Sequence, residues 1–201
     1  MEILTLLMAL AIGIYALKSR DQNRRIALLG THLGKYQIEQ LMESLTEGYL
    51  RALGESDPER RAQIWNLLST TETALCEQFT RFVTEFSRVD EADARVSKLA
   101  LSVPYAARLF PSLTFDLRKA LSIHAHGISH AANNTADQTP RDKAFTLSAE
   151  LFLMQHTCHW FCRSKTVASA RLLARHKTSY AQVLASVSPD TRKAYGTLTA
   201  G

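Results

Sequence analysis

The chain is poor in the residues from which cross-links, tight turns and recognisable active sites are built. Its three cysteines, Cys76, Cys158 and Cys162, are an odd number. That makes a poor disulfide framework and fits a reducing compartment. Eight glycines and five prolines argue against an all-β protein with many tight turns. No G-x-S-x-G, P-loop, G-x-G-x-x-G, H-E-x-x-H or C-x-x-C occurs, so the familiar hydrolase, nucleotide and metalloprotease patterns are missing. No Glu-x-x-His pair is present either, which leaves out the di-iron carboxylate pattern of helical bundles. Basic residues are not interleaved with aromatics and no nucleic-acid module signature appears, so DNA or RNA is not favoured as a partner. These absences lean toward a non-enzymatic protein.

Charge is itself absent from one long stretch. Residues 3–17 carry none, and Lys18, Arg20, Arg24 and Arg25 follow directly. A spanning helix wants ~20 apolar residues to cross a hydrocarbon core of about 30 Å. The stretch from Ile3 to Leu17 reaches only about 22 Å at ~1.5 Å per residue. Met1, snorkelling of Lys18 and local thinning of the bilayer would cover the shortfall. The basic flank on the C-terminal side predicts a single-pass anchor in the inner (plasma) membrane, N-terminus out, with the bulk of the chain cytoplasmic. A cleaved signal peptide would want positive charge before the apolar region and a small-x-small site after it. Here Glu2 precedes the run, and Tyr15-Ala16-Leu17-Lys18 is a poor cleavage site. The remaining alternative is an ordinary buried helix, or one that packs into an oligomer interface.

The 201 residues suffice for one domain plus an anchor. The expected division is an anchor with its basic flank over 1–29, a helical bundle over 30–188 and a flexible tail over 189–201. Charge is unevenly shared: residues 1–100 hold 12 Lys+Arg against 14 Asp+Glu, and residues 101–201 hold 12 against 5. The basic C-terminal half calls for an anionic partner, either lipid headgroups or an acidic protein, in a homo- or hetero-oligomer or at the cytoplasmic leaflet.

Apolar residues recur at helical spacing nearly throughout, so the fold class is all-α: an antiparallel bundle of four to five helices behind the N-terminal apolar helix. The first helix should end near Gly30 and Gly34. Ile38, Leu41, Met42, Leu45 and Tyr49 mark the second. Gly54 suits a left-handed cap, Asp57 an N-cap and Pro58 the first helical position of a helix running to about Arg88. Asp90 or Asp93 would cap a short helix through Val103, and Ser112 one ending near Ala131. Residues 132–141 form a polar loop. A long helix should then run from Asp142 through Leu173, with the pattern ending at Ser188-Pro189-Asp190 and a frayed end beyond.

One constellation has the donors for chemistry. His124, His126 and His130 lie in one cluster, and His156 and His159 lie with Cys158 and Cys162 in another. On helices, His126 and His130 share a face, as do His156 and His159, and His159 and Cys162. If the two helices are antiparallel neighbours, a His pair could face a His/Cys pair, a donor set suited to zinc, iron or haem. The candidate ligands are His126, His130, His156, His159 and Cys162. Register opposes this, because an antiparallel hairpin puts position 126 opposite roughly 146–150. His124 continues the Leu113-Leu117-Leu121 stripe and Cys158 the Leu147-Leu151-Met154 stripe, which makes both core residues. A Cys162 dyad with His159 or His156, and a pairing of Glu150 with His124 or His130, are the catalytic alternatives. The leading expectation is a membrane-tethered interaction, adaptor or assembly subunit, and the alternative is a metal- or haem-binding bundle.

Overall fold

A computed structural model describes residues 2–200. The protein is all-α: among the described residues there are nine helices, about 77% helical content, and one two-stranded sheet. In chain order these are α1 (Glu2–Leu33), α2 (Ile38–Gly54), α3 (Pro58–Phe86), β1 (Arg95–Ser97), α4 (Ala106–Leu109), a 3-10 turn (Pro111–Leu113), β2 (Thr114–Asp116), α5 (Leu117–Ala132), α6 (Pro140–Cys162), α7 (Lys165–His176), α8 (Tyr180–Ser186) and α9 (Pro189–Thr199). Helices α1, α2, α3, α5 and α6 are the long ones, and the excess over four to five comes from short pieces.

Helix α6 is the axis of the body. It packs against α1, α2, α5, α7, α8 and β1, while α2 pairs with α3 and α3 with α5. Most of its side chains are therefore buried, from Leu147, Leu151 and Leu153 to Trp160 and Phe161, with the face of Phe152, Gln155 and His159 half-buried. The other half of the core is the α3 stripe of Leu75, Phe79, Phe82 and Phe86, all buried, closed by Leu45 and Tyr49 of α2. Burying a side chain of this size contributes roughly 1.5–3 kcal/mol, so this stripe is a main source of stability.

The best-defined boundary behaves as its residues dictate. Asp57 Oδ1 accepts hydrogen bonds from the Glu59 and Arg60 amides at 2.9 and 3.2 Å, and Pro58 stands at the first helical position, where no amide partner is needed. Gly54 differs from expectation: no glycine among the described residues has a positive φ, and α2 ends through an extended Glu55.

Several other expectations are corrected. Helix α1 ends at Leu33, just before Gly34, as expected, and it passes Gly30 unbroken where Leu28, Leu29 and Leu33 pack on the body. The short helix expected before Val103 is instead β1, paired antiparallel with β2 so that Val96 faces Phe115. Both side chains are buried there, and Trp160 Nε1 donates to the Ser97 carbonyl at 2.8 Å. Tertiary burial overrides the helical spacing. The N-cap of α5 is consequently Asp116, not Ser112; it accepts from the Arg118 amide at 2.9 Å and pairs with the Arg118 guanidinium at 2.7 Å.

The long C-terminal helix is two. It breaks at Arg163–Ser164, where the Ser164 hydroxyl caps α7 by accepting from the Val167 amide at 3.3 Å. The segment expected to fray forms α9, capped by Ser188 with Pro189 in its first turn, and it buries Thr191 and Tyr195. Tyr195 holds it: its ring lies fully inside, and its hydroxyl meets Thr157 Oγ1 at 2.8 Å.

Helix α1 has two parts. From Ile3 to Leu17 every side chain is exposed, Leu4 at 74% and Leu6 at 72% among them. From Asp21 onward it is fastened to the body. Arg25 reaches the Arg95 and Phe161 carbonyls at 3.2 and 3.4 Å, and His32 meets Phe86 edge-on at 5.4 Å.

Candidate functional site

Two features of the body merit a chemical reading: a groove beside α1 and a sealed polar cluster under α9. The groove runs between α1 and α2 on one side and α6 and α7 on the other, in two adjoining hollows of ≈ 750 and ≈ 300 Å³. Leu29, Ile38, Met42, Met154 and Cys158 make an apolar floor. Arg163, Arg171 and Arg175 line the α6–α7 wall, and Glu39, Glu43 and Glu47 the α2 wall. Apolar packing fixes the floor, and the charged walls are what remains of each helix outside the core.

His159 and Cys162 belong to this groove. Each is half-buried, and His159 Nδ1 lies 3.3 Å from Arg171 Nη1. Burial, with Arg171 and Arg175 nearby, holds the His159 pKa below its ordinary value, so the ring is neutral and accepts from the guanidinium. Burial pushes the Cys162 thiol up to about 11, against the pull of Arg163, Arg25 and Arg171. A thiol protonated at neutral pH is a weak nucleophile, and no hydrogen bond joins Cys162 to His159 or His156. The Cys-His dyad therefore lacks its geometry.

The other three predicted ligands lie elsewhere. His126 is exposed and His130 half-buried on α5, their rings stacked with centroids 6.3 Å apart. His156 is buried; its Nε2 meets Ser169 Oγ at 3.1 Å and its ring stacks on Tyr180 at 4.5 Å. Lys165 covers the same aromatic cage, 4.9 Å from the Trp160 ring centre and 5.1 Å from that of Tyr180. Among the described residues no group of three or more His, Cys, Asp or Glu side chains could hold a metal ion. The cause is register. Gly127 packs against Glu150, and His124 Nε2 lies 2.9 Å from Thr157 Oγ1. Residues 126 and 130 thus meet the first half of α6, away from 156–162.

The sealed cluster is built from His124 of α5, Glu150 and Thr157 of α6, and Thr191 and Tyr195 of α9, all buried. Thr157 links His124 to Tyr195, whose rings also approach to 5.2 Å. Glu150 Oε1 accepts from the Ser188 amide at 3.0 Å. Its other oxygen and the Thr191 hydroxyl press against Gly127, where any Cβ would collide with both. Burial raises the Glu150 pKa, opposed by hydrogen bonds from Ser188 and Thr191. Burial pushes the His124 pKa down to about 3 and that of His156 down to about 4. Nδ1 of each histidine is buried without a hydrogen-bond partner. His124 and Cys158 are core residues, as their stripes predict. His124 and Glu150 are both fully buried, and His124 bonds Thr157 while Glu150 bonds Ser188, so the two do not form a catalytic pair.

Sequence reasoning does not single out Arg163, Arg171 and Arg175. Arg171 and Arg175 are one helical turn apart on α7 and could have been seen as a basic pair; Arg163 joins them only through the α6–α7 bend. Phe152 and His176 also escape notice, although their rings stack at 3.8 Å and His176 Nε2 meets Gln155 Oε1 at 2.8 Å on the groove's edge. Neither a protein-family model, nor a curated protein, nor a solved structure matches the chain.

Proposed function

We propose that this protein is a membrane-tethered interaction subunit: α1 anchors it by residues 3–17, and the helical body holds a partner at the cytoplasmic surface. One observation carries the reading. The apolar stretch belongs to a helix long and apolar enough to span a membrane, yet none of that stretch is buried in the body. A core helix of a soluble protein would be covered. Ten large apolar side chains between Ile3 and Leu17 are each about half or more exposed. At ~1.5–3 kcal/mol per fully buried side chain, their transfer out of water is worth on the order of 10–20 kcal/mol. That is as large as the stability of a whole domain, about 5–15 kcal/mol, so a hydrocarbon partner for the stretch weighs heavily in the energetics.

Lys18, Arg20, Arg24 and Arg25 support a single-pass inner-membrane anchor with the body in the cytoplasm. The partner surface in this reading is the groove. Its basic wall suits acidic side chains of a partner protein, and its acidic wall sets the opposite requirement, so an amphipathic segment charged along both edges fits it. The site's chemistry supports recognition over catalysis: the Cys162 thiol is held protonated, no hydrogen bond joins it to a histidine, and the Glu150 carboxyl is buried away from the groove.

Extraction of native membranes tests the reading. The full chain should stay in the pellet after alkaline carbonate and leave it only with detergent. Recovery as a discrete, detergent-free soluble oligomer would instead place α1 in an interface between copies.

A further inference from the structure

The segment between β1 and β2 departs from the behaviour of a surface loop. It exposes Leu101 at 71%, Leu109 at 63%, Phe110 at 46% and Leu113 at 41%. Soluble surfaces rarely gather apolar side chains so densely without a partner. The same segment buries small residues, Ala106 and Ala107, against the body. Tyr105 makes that division possible. It adopts a left-handed backbone, φ 53°, which turns the chain so that α4 lays its alanines inward and ends on Leu109 and Phe110 pointing out.

Its position is equally specific. The Tyr105 amide donates to Asp21 Oδ2 at 3.3 Å, and Gln22 Nε2 donates to Ser102 Oγ at 3.0 Å. Asp21 also pairs with Arg25 at 3.5 Å, and Gln22 accepts from Arg163. The segment is thus tied to α1 about one helical turn past Leu17, at ~1.5 Å per residue. That is where the apolar stretch, at about 22 Å, falls short of the ~30 Å hydrocarbon core. It also covers the polar side of the helix there: Gln22 is only 7% exposed, and Asp21 Oδ2 is held by the Tyr105 amide and by Arg25. Exposed Arg20 and Arg108, the latter over the Tyr105 ring at 5.8 Å, flank the patch with the charge that anionic headgroups attract.

We propose that residues 99–113 form a second membrane contact, a collar at the root of α1 whose Leu101, Leu109, Phe110 and Leu113 enter the leaflet from which the anchor emerges. The occupant of the patch is the bilayer, because the patch is tied to α1 about one helical turn past the end of the apolar stretch. The inference rests on the reading of residues 3–17 as membrane-embedded. The collar lengthens the apolar contact on one side of α1 and fixes how the body sits on the membrane, which sets where the groove opens.

Spin labels on the full chain test it, introduced one at a time at Leu10→Cys, Phe110→Cys and Leu67→Cys. The chain is reconstituted in phosphatidylcholine vesicles containing a minority of phosphatidylglycerol, and the unsubstituted chain supplies the background of its own cysteines. Labels at 10 and 110 should collide more with oxygen than with a water-soluble nickel chelate. The label at 67, on an exposed leucine of α3, should show the reverse. A label at 110 that behaves like the one at 67, while the label at 10 stays oxygen-rich, overturns the collar and leaves the anchor standing. A label at 10 that behaves like the one at 67 overturns the anchor and the collar with it.

Discussion

The two halves of α1 share a backbone and little else. Residues 3–17 expose every side chain, while the half from Asp21 to Leu33 buries Gln22 and Leu29 and engages Arg24, Arg25 and His32 with the body. The hydrogen bonds of an α-helix are internal, so the helix passes from one environment to the other without interruption. What changes at Lys18 is the requirement placed on side chains. Before it, no side chain is covered by the body; after it, the inward face answers to particular neighbours. Tolerance to substitution should follow that division.

The largest expected effects come from a mirrored pair of substitutions. Leu10→Arg should cost ~2.5–3.5 kcal/mol of membrane insertion and leave the thermal midpoint of the body unchanged. Leu29→Ala should leave membrane partition intact and destabilise the body by about 2–5 kcal/mol. Carbonate extraction and chemical denaturation, run on both variants, read the two effects separately; an equal effect of both substitutions on both assays would erase the division. Next in size is Gly127→Ala. The added methyl must displace Glu150 or Thr191 within a close-packed interior, so stability should drop by about 1–3 kcal/mol, seen in the urea midpoint, with partition again unaffected.

Smaller, and confined to the body, is the response to acid. His124 and His156 stay neutral when folded, down to about 3 and about 4, whereas unfolded they take up protons below ~6.5. The unfolded state then binds more protons, and stability falls as pH drops through ~6.5, by up to ~1.4 kcal/mol per pH unit for each ring. Glu150, raised by burial, works the other way: its contribution is present at low pH and is lost as pH rises through its folded value. His124, His156, His159 and His176, all lowered by burial, against one carboxyl leave a net loss between pH ~6.5 and ~5. His124→Gln should remove one ring's share of the histidine slope, measured as urea stability against pH. The smallest effect is that of Arg24→Ala: its exposed ion pair with Asp93, at 2.6 Å, should contribute under ~1 kcal/mol, detectable as a modest shift in thermal midpoint that salt diminishes.

The long apolar N-terminal helix and the helix boundary at Asp57-Pro58 are legible in the sequence because each rests on local chemistry: an uncharged run, a capping carboxylate, a proline with no amide to satisfy. The stripe from Leu75 to Phe86 is legible because α3 has one buried face. Helix α6 is not, since burial of most of its surface weakens the contrast from which periodicity is read. Helix α9 hides for the opposite reason: Tyr195 anchors a segment otherwise polar enough to look frayed. The β1–β2 ladder is three residues a side, too short for alternation to show, and it displaces the expected Ser112 cap to Asp116. For the candidate site, His159 and Cys162 are found by their shared helical face. The guanidiniums beside them are not, because α1, α2, α6 and α7 meet at the groove only through tertiary packing.

Hydrogen–deuterium exchange along α1, on the full chain in lipid bilayers, tests the central division most directly. Amides of residues 3–17 should be strongly protected in the bilayer and lose that protection when lipid is replaced by a water-exposing environment, while amides from Gln22 to Leu33 stay protected in both. Equal protection of the two halves in the absence of lipid would show that protein covers residues 3–17, and would contradict the anchor.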